Sequence, residues 1–389
     1  MERSGPAIAQ RSLRHGPVTV GSPADARAGR RDRRRWRRWP EWIAYAAALW
    51  SATYGLLGLH WALGGAGFPF GVGHDRGAHL SVLAGARPER TAPLIAVLGL
   101  LGAVVAITMA RGRGRGAGRA TILVLAWSAA TGLAVVLPDF RVLVVVAYAP
   151  ILLLGAPFGW PPGVRFLDAI PWPLINQGVC IGGGLLWAAA AVAYRRLSRG
   201  ACGHCGRTDA VAEWTTPSAA RRWGGAAVAV AVVVPVIYAL TRWAWALGVP
   251  FGITARFYAE GRAIGLWWSG AALATLALAG AVLTLGLVRR WGEVFPGWLP
   301  VLAGRAVPRA LVIVPAALVA IVVTAAGVMF MRMTVAGTFV LGGHAITLRE
   351  NWGALAPELL WPVWGAALGT AALAYHYRTR SRCRYCGRR

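Results

Sequence analysis

Residues 225–252 read GAAVAVAVVVPVIYALTRWAWALGVPFG. Between Gly225 and Leu247 only Arg242 is charged, and the stretch exceeds the roughly 20 helical residues that cross a bilayer core. Seven further apolar runs occupy 42–63, 92–110, 120–137, 174–194, 264–288, 310–329 and 357–377. Of the 389 residues, 57% are hydrophobic and 14% charged, against about 25% charged in soluble domains. A soluble fold cannot hide that much apolar surface. Hydropathy alone leaves the number of crossings open, because a shorter run at 142–157 (VLVVVAYAPILLLGAP) and a weaker one at 333–347 also occur.

Arginine discriminates between the topologies. The net charge is +27, and all 41 basic residues are arginine. Asparagine is also scarce, at Asn176 and Asn351 alone. Lysine and asparagine share AT-rich codons, so the bias reflects GC-rich coding before it reflects phosphate recognition. Cytoplasmic loops carry the excess of arginine. With eight spans and both termini in the cytoplasm, 31 arginines lie inside and 9 outside, Arg242 being within a span. A ninth crossing at 142–157 gives 20 against 20, and ten crossings give 25 against 15. Eight spans are therefore expected, with 142–157 re-entrant or interfacial on the outer side and its backbone buried against the bundle. Most of the 20 tryptophans fall at span ends, where indole suits the headgroup level. Residues 1–41 end in an arginine-rich run and lack apolar periodicity. They read as a disordered cytoplasmic arm attracted to anionic lipid. No folded basic module is visible, so nucleic acid is not an expected partner.

The opening stretch has a counterpart. Tyr238, Leu240 and Trp245-Ala246-Leu247-Gly248 repeat Tyr54, Leu56 and Trp61-Ala62-Leu63-Gly64, 184 residues apart. Pro-Phe-Gly follows both, at Pro69 and Pro250. Trp172-Pro173 matches Trp361-Pro362, and Ala193-Tyr194 with Cys202-x-x-Cys205-Gly206-Arg207 matches Ala374-Tyr375 with Cys383-x-x-Cys386-Gly387-Arg388. The expected architecture is an all-α membrane protein of eight transmembrane helices in two four-span repeats, 42–207 and 223–389, joined by a cytoplasmic linker over 208–222. An even number of spans per repeat makes the repeats parallel, related by an axis along the membrane normal. The phrases GLHWALGGAGFPFG (58–71), RWAWALGVPFG (242–252) and RRWGEVFPGWLPVLAGRAVP (289–308) resemble those of uncharacterised multi-pass membrane proteins of high-GC bacteria, a family of unknown function. That resemblance implies a helical fold in the bacterial cytoplasmic membrane and no catalytic residues.

Chemistry concentrates in the cysteines. Cys180 lies within a span and reads as a small apolar core residue. Each C-x-x-C-G unit places two thiols on one tight turn, and two such knuckles complete a tetrahedral four-thiolate zinc shell from Cys202, Cys205, Cys383 and Cys386. Three alternatives stand beside it: separate or intermolecular metal sites, redox chemistry because CGHC resembles the disulfide-isomerase tetrapeptide, and a remnant of duplication without function. CRYC in the second copy does not preserve that tetrapeptide, and eight spans put both knuckles in the reducing cytoplasm.

Arg242 is a candidate contact for a substrate or lipid headgroup, with snorkelling as the alternative. All 14 acidic residues fall in tails, loops or span ends, which argues against a proton relay. His60, His74, Asp75 and His79, with His344 and Glu350 in the second half, form a weaker outer set of ligand-type residues. The leading functional expectation is a non-catalytic scaffold or sensor that meets a cytoplasmic protein partner through the arm and the knuckles. A solute or lipid transporter with its path at the repeat interface comes second, and an outer-leaflet membrane enzyme third.

Overall fold

The computed structural model describes residues 39–155, 157, 170–341 and 344–388. The arm up to Arg38, Trp160, Arg165 and two glycines of the 333–347 run lie outside the described residues. The helices of the described residues run from Trp39 onward. These are α1 (Trp39–Ala62), α2 (Pro88–Ala110), α3 (Gly116–Thr131), α4 (Phe140–Gly155), α5 (Trp172–Leu197), α6 (Pro217–Ala246), α7 (Ala255–Ala263), α8 (Leu266–Leu285), α9 (Arg309–Ala336), α10 (Trp352–Leu359) and α11 (Trp361–Thr379). One wide π turn over Gly132–Val136 prolongs α3. Strands β1 (Val340–Leu341) and β2 (His344–Ala345) pair antiparallel.

Helix starts follow local chemistry. Proline occupies the first turn of α2, α5, α6 and α11, where no backbone N–H partner is lost. Thr216 and Thr254 cap α6 and α7 through side-chain oxygens, satisfying donors that a helix start leaves free.

Seven of these helices, α1, α2, α3 with its wide turn, α5, α6, α8 and α9, are long and apolar enough to cross a membrane. Their packing is inverted relative to a soluble protein. Ala47, Ala106, Ala190 and Ala274 are wholly buried, whereas Leu49, Leu94, Leu101, Val104 and Leu283 point outward, each more than half exposed. Small residues at helix contacts and large apolar residues outside are what a lipid environment selects. Tight approaches follow: a Cβ added at Gly99 would lie 2.5 Å from the Cα of Gly55, bringing α1 and α2 nearly into backbone contact.

Four runs take a form different from the hydropathy reading. The 310–329 run and the start of the 333–347 run fuse into α9, a single helix of 28 residues, because only Arg332 interrupts the apolar sequence, and its guanidinium reaches the Leu80 carbonyl at 2.5 Å. The 357–377 run is divided, with α10 ending at Leu359 and α11 starting at Trp361 ahead of Pro362. The 142–157 run becomes part of α4, whose 16 residues reach about 24 Å at 1.5 Å per residue, too short to cross a bilayer core unaided.

Within residues 39–207, α1 packs on α2 and α5, and α3 packs on α5. Within 217–388, α6 packs on α8 and α11, and α9 packs on α11. The two sets meet where α9 lies against α4, α5 and the wide turn of α3. Val142, Leu174, Ile181 and Val322 form a buried cluster there, and Phe140 meets Phe330 with ring centroids 5.9 Å apart.

Candidate metal centre

Two turns, one following α5 and one following α11, bring the cysteines together. In the first, Cys202 N donates to Arg207 O at 3.0 Å and Gly206 N to Cys202 O at 2.7 Å. In the second, Cys383 N donates to Arg388 O at 3.0 Å and Gly387 N to Cys383 O at 2.9 Å. Gly206 and Gly387 adopt φ of +73° and +70°, the left-handed region that glycine enters without a Cβ penalty. The shared C-x-x-C-G pattern thus encodes the same turn twice.

The Sγ atoms of Cys202, Cys205, Cys383 and Cys386 all lie within 4.8 Å of one another, and Cys205 and Cys386 approach to 3.6 Å. A tetrahedral site with Zn–S bonds of about 2.3 Å has sulfur–sulfur edges of about 3.8 Å, so the cluster fits a single ion after small side-chain adjustments. All five cysteines are free thiols. Burial works against the Cys202 and Cys383 thiolates, yet backbone N–H groups of Cys205 and His204 bring Cys202 below the ordinary thiol range, and those of Cys386 and Tyr385 do the same for Cys383. Burial and the neighbouring sulfurs hold Cys205 above it.

The surroundings are cationic and reciprocal. Arg207 Nη1 donates to Arg388 O at 3.1 Å, and Arg388 Nη1 donates to Arg207 O at 3.3 Å. Arg196 holds the first knuckle through the Gly203 and His204 carbonyls, each at 3.0 Å. Arg380 donates to Thr215 O at 3.1 Å. A divalent ion with four thiolates carries two net negative charges, which these guanidiniums offset. Arg207 Nε is buried without a hydrogen-bond partner, a donor available to a thiolate. His204 and Tyr385, the variable residues of the two knuckles, pack ring against ring.

The other sequence-selected residues do not form a site of this kind. Among the described residues, the four cysteines are the only cluster of three or more metal-type ligands. His74 stands edge-on to Phe68, His344 lies against Arg256 and Glu260, and Glu350 accepts from Thr347 Oγ1 at 3.2 Å. A cavity of about 430 Å³ is lined by Val72, His74, Asp75, Arg76 and His79, but its buried charge is already matched. Asp75 accepts two 2.7 Å bonds from Arg141 and one of 2.9 Å from Gly77 N. Burial works against the Asp75 carboxylate, and these donors outweigh it, holding the group below its usual range.

Arg242 is buried and paired with Glu358. It also donates to Thr241 Oγ1, Gly353 O and Ala354 O at 3.0, 3.3 and 3.2 Å. The rings of Tyr238 and Trp245 lie 4.5 and 4.4 Å from its guanidinium carbon. The guanidinium is thus paired within the chain by a carboxylate, two carbonyls and a hydroxyl. Sequence reasoning missed this pairing, since Glu358 reads as a span-end residue. It also missed Asp139, which is buried, binds Arg141 and accepts from Gln177 Nε2 at 2.6 Å. The signal was opposite charge two residues apart, Asp139 and Arg141, beside an apolar run.

Compared with protein-family models, curated proteins and solved structures, the chain finds no match.

Proposed function

We propose that this is a non-catalytic scaffold or sensor of the bacterial cytoplasmic membrane, built from two parallel four-span repeats that a structural zinc ion clamps at their cytoplasmic ends. The observation that carries the reading is the convergence of four sulfurs from two knuckles 181 residues apart. A structural four-thiolate zinc site supplies folding free energy rather than an open coordination position for chemistry. Cys202, Cys205, Cys383 and Cys386 would hold the ion, and Arg196, Arg207, Arg380 and Arg388 would balance its shell.

Three features support the repeat. Helix pairs recur in corresponding order in the two halves. Tyr194 OH donates to Arg113 O at 2.6 Å and Tyr375 OH to Gly292 O at 2.8 Å, each reaching the loop that joins the second and third long helices of its own half. Arg207 and Arg388 exchange equivalent hydrogen bonds. In this reading α11 is the eighth span, and the arginine asymmetry puts the knuckles and the arm in the cytoplasm, near anionic lipid and a cytoplasmic protein partner. The buried apolar contact between the halves and the internally paired Arg242 favour a scaffold over a transport path at that interface.

Metal analysis of the detergent-purified full chain tests the proposal. About one zinc per chain is expected, with loss in Cys383→Ser; near-zero metal in the parent overturns the zinc site. A fluorescent protein fused after Arg389 tests orientation independently. Fluorescence is expected, and its absence together with activity of a phosphatase fused at the same point overturns the cytoplasmic placement.

A further inference from the structure

The loop between α8 and α9 is a hairpin with an apolar tip. Val294 and Ala306 form an antiparallel bridge. Phe295 N donates to Arg305 O at 3.0 Å, Gly304 N to Phe295 O at 3.1 Å and Val307 N to Glu293 O at 2.9 Å. Its root is fixed to the end of the bundle that bears the metal centre. Tyr375 OH reaches Gly292 O, Arg378 reaches Leu287 O at 2.8 Å, and Arg378 pairs with Glu293 at 2.9 Å. The tip turns three apolar side chains outward, Trp298 at 79% exposure, Val301 at 83% and Leu302 at 36%, while Phe295 and Leu299 are half-buried. Val301 is also the sole described non-glycine residue at positive φ, +70°, a conformation disfavoured for a β-branched side chain.

Arginine flanks this tip. Arg289, Arg290 and Arg305 are exposed beside it, while Glu293, the one acidic residue of the hairpin, is paired with Arg378. The loop that joins α2 to α3 has no such feature, reading RGRGR over 111–115 without an apolar side chain. The tip is therefore not required for closing a turn between two long helices.

We infer that this hairpin inserts Trp298, Val301 and Leu302 into the membrane leaflet at the metal-centre end, with its arginines on anionic headgroups. The inference rests on α8 and α9 being membrane spans, since both strands of the hairpin spring from their ends and start at the bilayer surface. Indole partitions to the headgroup level, and aliphatic side chains enter the acyl boundary beneath it. A rim of cationic residues adds attraction to anionic lipid. Pro296 and Pro300 remove two backbone N–H groups that would otherwise need partners at that depth. The one-signed rim and the attachment at the membrane surface favour lipid over a protein partner.

Photo-crosslinking tests this. The full chain carries p-benzoylphenylalanine in place of Trp298, or of Leu276 on the outward face of α8, in nanodiscs of phosphatidylglycerol and phosphatidylethanolamine. Phospholipid adducts are expected from both positions. Replacing the anionic lipid by phosphatidylcholine is expected to lower the adduct yield at 298, relative to 276, by at least about fivefold, since each arginine at the surface contributes about a factor of five. Lipid adducts at 276 with none at 298, or a protein adduct at 298, overturn the inference. No adduct at either position overturns the span reading on which it rests, and a yield at 298 indifferent to lipid charge overturns the role given to the arginines.

Discussion

Replacing Arg242 by Met and Glu358 by Leu, singly and together, separates a structural ion pair from a hydrated charge on a solute path. Both side chains are about 90% buried, so solvent screening does little for either. Arg242→Met leaves the Glu358 carboxylate without its counter-charge, and its Oε2 already lacks a partner. Glu358→Leu leaves a guanidinium with two carbonyls, a hydroxyl and two ring faces but no counter-charge. Removing one member of a buried pair costs about 3 kcal/mol or more, whereas replacing both by apolar residues of similar volume is often nearly neutral. Each single variant should therefore lose about 3 kcal/mol and the double variant less than either, giving a coupling energy of at least about 3 kcal/mol. The assay is reversible unfolding in mixed detergent and SDS micelles, followed by tryptophan fluorescence. Additive losses, or single losses below about 1 kcal/mol, would refute the reasoning and would mean that water reaches the pair, as a transport path requires.

Further expectations concern the knuckles, the helix contacts and pH. Gly206→Ala and Gly387→Ala should each cost about 1–2 kcal/mol from their left-handed φ. Gly206→Ala should cost more, because its Cβ would come 2.9 Å from Arg196 Nε while nothing lies within 4 Å at Gly387; faster metal loss to a chelator reads the difference, and equal rates contradict it. Gly365→Val should destabilise by about 1–3 kcal/mol through overpacking, since its Cβ would meet Thr324 Oγ1 and the Ala320 carbonyl. Gly369→Ala, with 3.7 Å to its nearest neighbour, should stay within about 0.5 kcal/mol of the parent by thermal unfolding. The Asp75 carboxyl is held low in the folded state, so its contribution is fully present above its unfolded value of about 3.9 and is lost as pH falls through the lower folded value. The stability gap between the parent and Asp75→Asn should be constant from pH 6 to about pH 4.5 and narrow below that; a gap that does not narrow argues against the Arg141 pairing.

Particular residues show how much could be read without coordinates. The apolar runs around Val228–Leu240 and Leu94–Ala106 declare helices of membrane length, because length and hydropathy are local properties. The knuckle turns are legible for the same reason: C-x-x-C-G encodes its own hydrogen bonds and its left-handed glycine. The fusion of 310–329 with Met333–Ala336 was not legible, since Arg332 looks like a boundary until its guanidinium is seen to reach the Leu80 carbonyl. Glu358 hid in the same way. A carboxylate at the edge of an apolar run reads as solvated, and only its proximity to Arg242, 116 residues away, makes it part of the interior.

The sequence by itself determined that the chain forms helices long and apolar enough to cross a membrane, and that two turns are built to present thiols. These follow from composition and from spacing over a few residues. Only the tertiary structure decided that the two turns meet, that Arg242 is neutralised by Glu358, and that Asp75, Arg141 and Asp139 form one network. Each of those is a contact between residues distant in the chain, which depends on how helices pack through small residues in three dimensions, and no local pattern encodes it.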